Sequence, residues 1–306
     1  MGARADEIPP SPTSPAPESI LPAELEPIEP PLPKTHYTLP FALRGIIPKT
    51  GARLDTSLGL YRLTDDDTSQ ITVMFLSGQW RVADAVALQI RWGIDSNQTG
   101  NDTSRTGILN PGAGVLFGIP VGTDFRFAAS TTLSLPLASG GGNDPDPNLL
   151  ALQRQGQLAR SAMDNASFAV NDLGFPTGLS LAYVKRDLTV QLDATVIPSA
   201  RVRGKETQVD TSKVNSTYGV FLGYLVVREL AVGAELRYQR YLSTPAAVER
   251  DPSTRDNLTF AIGPRLNIDL TDSVMVRPAI TYGRGLRGPV ESQSFQVVQL
   301  DVPFSF

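Results

Sequence analysis

Residues 293–306 read Gln293-Ser294-Phe295-Gln296-Val297-Val298-Gln299-Leu300-Asp301-Val302-Pro303-Phe304-Ser305-Phe306, and this stretch decides the fold. From Val298 onward the even positions are Val298, Leu300, Val302, Phe304 and Phe306, and the odd ones are Gln299, Asp301, Pro303 and Ser305. A period of two puts every apolar side chain on one face of a strand and every polar one on the other. The stretch ends on an aromatic residue of the apolar face. A terminus in water frays and has little use for Phe-Ser-Phe. The closing strand of a transmembrane barrel faces lipid and finishes in an aromatic girdle.

The same residues resemble the last strand of bacterial outer-membrane β-barrels, which carries alternating apolar residues and a terminal Phe. In that family this strand is the signal read by the barrel-insertion machinery. The resemblance therefore implies that Val302, Phe304 and Phe306 form an assembly signal. It also implies outer-membrane lipid, lipopolysaccharide and that machinery as partners. Ala162-Met163-Asp164-Asn165 and Arg237-Tyr238-Gln239-Arg240-Tyr241 are further similar to uncharacterised myxobacterial outer-membrane proteins, which carry the same compartment and fold but no known activity.

Composition fits this reading. The 306 residues suffice for one large barrel plus a tail, and 41% hydrophobic residues is low for a helical membrane protein. No run approaches the roughly 18 apolar residues of a spanning helix, whereas a barrel needs only alternate apolar residues. A net charge of −4 argues against nucleic acid as a partner. Without Cys there is no disulfide or thiolate chemistry. His36 is the sole histidine and precedes the strand-rich region, which closes Ser-His-Asp hydrolysis and His-ligated metals within the barrel. Outer-membrane phospholipases and omptin-like proteases share the architecture and rely on a barrel histidine, so the chain is read as a non-enzyme without a cofactor.

The expected fold is all-β, a transmembrane antiparallel barrel of about twelve strands at 49–306, with a disordered Pro-rich tail and lead-in at 1–48. The strands are placed at 54–62, 70–79, 83–93, 107–119, 124–137, a sixth ending at Lys185, 188–200, 214–226, 229–242, 257–270, 274–285 and the closing strand. Phe175-Pro176 interrupts the sixth, since Pro inside a paired strand marks a bulge or an edge. Connections after even strands are short: Trp80-Arg81-Val82, 120–123, Arg186-Asp187, Val227-Arg228 and 271–273. Those after odd strands are longer: 63–69, 94–106, 138–165, 201–213, 243–256 and 286–292. That alternation belongs to barrels with short periplasmic turns and long external loops. It places both termini in the periplasm of a bacterial outer-membrane protein.

With the apolar phase facing lipid, the lumen is expected to hold Arg91, Arg126, Arg237, Arg265 and Arg277 together with Asp55, Asp193, Glu235, Asp269 and Asp301. Gly112, Gly114, Gly118, Gly219, Gly223 and Gly233 share that phase. Two readings stand side by side. The charges pair and close the lumen, because buried charge must be compensated, or they line a water-filled pore. The longest loop, 138–165, is the expected gate. Asp146-Pro147 is an N-cap followed by a first-turn Pro, and Leu149, Leu152, Ala159 and Met163 follow on one helical stripe. If that helix turns inward, Gln153, Arg154, Gln157 and Arg160 are expected to meet Asp193 and Glu235.

Two other features carry less. Asp95-Ser96-Asn97-Gln98-Thr99-Gly100 looks like half a calcium loop, but Thr106 stands where an acidic ligand belongs, so no metal site is assigned. In the tail, Ala3-Arg4-Ala5 looks like the end of a signal peptide without its apolar segment, with a mature chain expected near Asp6. Residues 8–33 are dense in Pro, with Glu18, Glu24, Glu26 and Glu29. Such a segment prefers polyproline II and is read either as a spacer or as a tether to peptidoglycan or another periplasmic partner. The sequence thus reads as an outer-membrane channel for passive diffusion of small polar solutes, narrowed by loop 138–165, or as a closed structural or partner-binding barrel tethered through its tail.

Overall fold

The computed structural model describes residues 37–64, 67–98, 104–205, 210–271 and 273–306. They form a closed antiparallel barrel of twelve strands. The strands are β1 (Gly51–Thr64), β2 (Asp67–Ala83), β3 (Val86–Gln98), β4 (Arg105–Ile108 and Gly112–Val121), β5 (Phe125–Ser134) and β6 (Asp172–Gly174 and Thr177–Lys185). They continue as β7 (Leu188–Arg201), β8 (Ser212–Val227), β9 (Leu230–Tyr241), β10 (Asp256–Leu266), β11 (Met275–Val276 and Ala279–Arg287) and β12 (Gln296–Ser305). Each pairs with its chain neighbours, and β12 returns to β1 in register from Gly51↔Ser305 to Leu60↔Gln296. Closure leaves no sheet edge, the condition for strands to sit in lipid.

Proline sets the breaks. β6 is interrupted at Phe175-Pro176, as expected, and the ladder bends around it: Thr132 N–H donates to the Pro176 carbonyl at 2.9 Å, and Phe175 N–H to that of Pro198 at 2.9 Å. Pro111 and Pro278 fall in the gaps of β4 and β11 in the same way, because Pro has no N–H for the ladder. The turn after β2 lies at 84–85, later than Trp80-Arg81-Val82, because both strands run on past it. β1 and β2 also run through most of 63–69, so the first long loop is largely strand.

The outer surface is apolar. Leu76, Ile90, Trp92, Leu222, Ile280 and Leu300 are exposed there. Trp80, Phe125, Tyr224 and Phe306 ring the short-turn end, with Phe125 against Tyr183 at 5.2 Å. This is the lipid-facing belt and aromatic girdle of a transmembrane barrel. Among the described residues no helix is long and apolar enough to cross a membrane.

One strand reverses the expected phase. Ile71, Val73 and Phe75 of β2 point inward and are fully buried, while Met74 and Leu76 face out. The interior therefore has an apolar wall where an all-polar one was expected.

Phe304 lies at the seam, opposite Ala52 of β1 and Val276 of β11. Phe306 N–H donates to the Thr50 carbonyl at 3.1 Å. Val302 and Phe304 are partly exposed and Phe306 is 64% exposed, all in the outward phase. Truncation after Pro303 is expected to abolish the compact, heat-modifiable band on gels; a normal folded yield would show that these residues are not required for assembly.

Candidate functional site

The lumen is occupied from both ends. From the long-loop end enters α1 (Pro147–Ala159), capped by Asp146, whose Oδ1 accepts from Asn148 N–H at 2.8 Å and Leu149 N–H at 3.2 Å. The cap satisfies two of the free donors at the helix start. A turn through Ser161 and Ala162, both at positive φ, leads into α2 (Asn165–Phe168). Leu152, Leu158, Ala159 and Phe168 pack on Tyr61, Phe75, Leu109 and Phe295 together with Ile71 and Val73. Burying one Leu side chain is worth about 1.5–3 kcal/mol. This helix is why β2 is apolar on both faces: one faces lipid and the other the helix.

Beyond α1, Arg160 is held by charge. Its Nη1 and Nη2 donate to the two oxygens of Asp55, both at 2.7 Å, and Nη1 also reaches Ser57 Oγ at 2.8 Å. Its Nε donates to Asp164 at 3.0 Å. Asp164 in turn takes the guanidinium of Arg91, with Nη2 at 3.0 Å, and Arg91 lies 3.6 Å from the centre of the Phe75 ring. Gln299 Nε2 donates to Asp55 at 3.0 Å, and Arg237 joins Glu235 to Ser161 Oγ. The arrangement is a bidentate buried ion pair with its remaining lone pairs satisfied, the condition under which such a pair offsets its desolvation.

From the short-turn end, residues 37–48 fill the other half. The lead-in assigned to 1–48 from sequence thus runs inside the barrel over its described part. Tyr37, Leu39 and Ile46 sit among Leu116, Ala128, Ala182 and Val184. Phe41 meets Phe221 edge-on at 5.8 Å, beside Leu43. The backbone is gripped as well: Glu235 accepts the N–H groups of Phe41 and Ala42, while Arg53, Arg265 and Gln299 donate to the carbonyls of Pro40 and Phe41. The inner-wall glycines make the room. A Cβ at Gly219 would lie 2.3 Å from Leu43 Cδ2, and one at Gly118 would lie 2.5 Å from the Ile46 carbonyl oxygen.

The expected lumen residues fall as follows. Asp55, Asp193, Glu235, Arg237, Arg265 and Asp301 are buried inside, and Arg91 and Arg277 are partly buried there. Arg126 is half-buried near the short-turn rim and makes no ion pair among the described residues. Asp269 is not in the lumen: it is exposed at the short-turn end of the sheet, opposite Met275, and pairs with Arg228 at 3.0 Å. Of the helix residues, Arg154 is exposed and does not enter the network. Gln153 meets Asp95 at 3.3 Å and Gln157 meets Asn165 at 2.7 Å. Neither Asp193 nor Glu235 receives the helix; Asp193 is bonded by Ser180 at 2.5 Å and Thr195, and Glu235 is taken by the lead-in and Arg237. They lie on strands across the lumen from the β1–β3 wall that carries α1. Asp95, considered for calcium, is buried against Gln153; Thr99, Gly100 and His36 lie outside the described residues. Asp164, Arg53, Lys49 and Gln299 were missed. Gln299 and Arg53 share the inward phase of β12 and β1, which is a readable signal; Asp164 and Lys49 lie off the strands and carry none.

A cavity of about 440 Å³ remains between the two inserts, lined in part by Arg44, Lys49, Arg53, Arg91, Arg160 and Asp164.

No protein-family model matches the chain, and no curated protein matches it. Among solved structures it is similar to the KdgM porin in complex with disordered oligogalacturonate, at 11% identity over 83% of this chain and 99% of that one, with a TM-score of 0.44. It is similar to the NanC porin at 8% identity, over 83% and 98%, with a TM-score of 0.45. It is also similar to the β domain of the Bordetella autotransporter BrkA at 10% identity, over 84% and 100%, with a TM-score of 0.45. The likeness lies in the barrel alone.

Removing one member of the Arg160–Asp55 pair leaves a buried charge alone, which costs about 3–5 kcal/mol. Arg160→Ala is expected to lower the urea midpoint of the detergent-folded protein by a corresponding amount, and the double variant D55N/R160Q to lower it less. Equal loss in both would mean that packing of α1, not the charge pair, holds the insert.

Proposed function

We propose that the protein is an outer-membrane channel for passive passage of small polar solutes, captured with its lumen closed by loop 138–165. The observation that supports this most is the cavity beneath α1, whose mixed lining includes the charged Arg44, Lys49, Arg53, Asp55, Arg91 and Asp164. It is bounded at the long-loop end by Arg160, Met163 and Asp164, and a single insert separates it from that side. An interior meant only to be filled has no need of such a space lined by charges. Asp146, Gln153, Gln157 and Arg160 belong to the movable part of this gate, and Asp55 and Asp164 are its latch. Ion pairs suit that role, because their strength depends on water entry and salt as apolar contacts do not.

The outer-membrane location draws on the lipid-facing belt and on the similarity of the closing strand to outer-membrane barrels, including uncharacterised myxobacterial ones. In this reading both termini lie in the periplasm, Val302, Phe304 and Phe306 guide insertion, and the Pro-rich tail tethers the barrel to peptidoglycan or a periplasmic partner. A Cys at Ala247, in the long loop after β9, is then expected to react with an impermeant reagent on intact cells, and one at Asp187, in a short turn, is not. The reverse pattern would invert the barrel.

The second reading, a closed structural or partner-binding barrel, is favoured by the apolar seat of α1 on Ile71, Val73 and Phe75, which makes release costly. Planar-bilayer conductance separates the two. Deleting residues 143–163 is expected to raise single-channel conductance several-fold from a low basal level. An open intact channel unchanged by the deletion would make α1 an idle lid, and no conductance in either form, nor after further removal of the lead-in at 37–48, would establish the closed barrel.

A further inference from the structure

We propose that the short-turn half of the lumen holds a binding site for a small oxyanion, a phosphate or carboxylate group, between Lys49, Arg53 and Arg277. The three side chains line one cavity. Lys49 is close enough to Arg53, Arg265 and Arg277 to be repelled by each, and the carboxylate that acts on it is Asp301. Asp301 is already taken, by Arg53 Nε at 2.6 Å and Arg265 Nη2 at 2.5 Å. Lys49 and Arg277 make no ion pair within the described residues. Arg277 gives its Nε to Met275 Sδ and its Nη1 to the Tyr37 carbonyl at 3.4 Å, which leaves Nη2 without an acceptor among the described residues. Arg265, 1% exposed, has a buried Nε with no partner among the described residues.

Four cations thus surround Asp301 in a partly buried space, and the two acids that also act on Arg53 and Arg265, Asp55 and Glu235, are each held by an arginine of their own. Around α1 the cations are matched, Arg160 and Arg91 by Asp55 and Asp164, and Arg237 is matched by Glu235. Asp269, the other acid near Arg277, is bound by Arg228 at the rim. Uncompensated charge away from bulk water is unfavourable until an opposite charge joins it. The geometry also selects the kind of anion. Guanidinium N–H groups form a planar fork that matches the oxygens of carboxylate and phosphate, and the Lys49 ammonium adds a point charge. Ser77 and Gln79 line the same cavity with polar groups. The site goes beyond the channel reading and does not depend on conduction.

The test uses the full chain folded in a phosphate-free non-ionic detergent. Inorganic phosphate is titrated at constant ionic strength against chloride, and the thermal unfolding midpoint is read from heat-modifiable migration, with calorimetric titration for affinity. A saturable rise with phosphate and none with chloride is expected. Lys49→Gln and Arg277→Gln are each expected to weaken the apparent affinity by about tenfold, the effect of losing one charge-assisted contact, and Arg277→Lys to restore part of it. A short-chain phospholipid in place of phosphate separates the sources: saturation by phosphate identifies a free anion, and saturation by the lipid alone identifies a headgroup phosphate. Equal response to phosphate and chloride, or unchanged phosphate affinity in the K49Q/R277Q double variant, would overturn the site. If the variants fail to fold, the phosphate-against-chloride comparison on the native chain still decides.

Discussion

A barrel of twelve strands encloses more space than its own inward side chains fill, and the rest of this structure answers that constraint. Small barrels fill themselves, whereas large ones enclose water. Here the wall uses glycine at several inward positions, which widens the lumen further, and two chain segments occupy what is gained. Each segment is gripped differently. The long-loop insert is held by side chains, through an apolar seat and the Arg160–Asp55 pair. The lead-in has an apolar seat as well, and in addition its backbone is gripped, its N–H and carbonyl groups being met by Glu235, Arg53, Arg265 and Gln299. Backbone polar groups in a dry interior must find partners. The charged residues of the wall supply them where no ladder is available.

The barrel itself was legible because strand alternation and loop-length alternation are both period-two signals written along the whole chain. The N-terminus of α1 was equally legible from Asp146-Pro147, since capping is local chemistry. What alternation cannot convey is which face is the lipid face when both are apolar. In β2, Ile71-Thr72-Val73-Met74-Phe75-Leu76 carries apolar residues in both phases over its second half, and the inward set was taken as the outward one. The departure from strict alternation was itself the mark of a strand packed on both sides.

The partners of α1 were not legible for a different reason. Arg160 was identified as an inward cation, but its acid depends on the height at which the helix stops and on the wall it leans against. Both follow from the apolar seat on β1–β3, which brings Arg160 to Asp55 and leaves Asp193 and Glu235 to other donors. Counting charges gave a balanced lumen. Position shows matched pairs beside α1 and an excess of cations around Asp301, so an even total conceals a strong local field.

Both inserts enter and leave by the same mouth. Thr38 N–H reaches Thr189, next to the turn that starts β7, and the segment returns to begin β1 at Gly51, again at the short-turn end. The other insert leaves β5 and rejoins at β6, both ends at the long-loop mouth. Neither segment is threaded through the ring of strands. Each described segment can therefore be withdrawn like a finger from a glove, with no inter-strand hydrogen bond broken. The cost of emptying the lumen is confined to contacts within it, and the seam between β1 and β12 stays shut throughout.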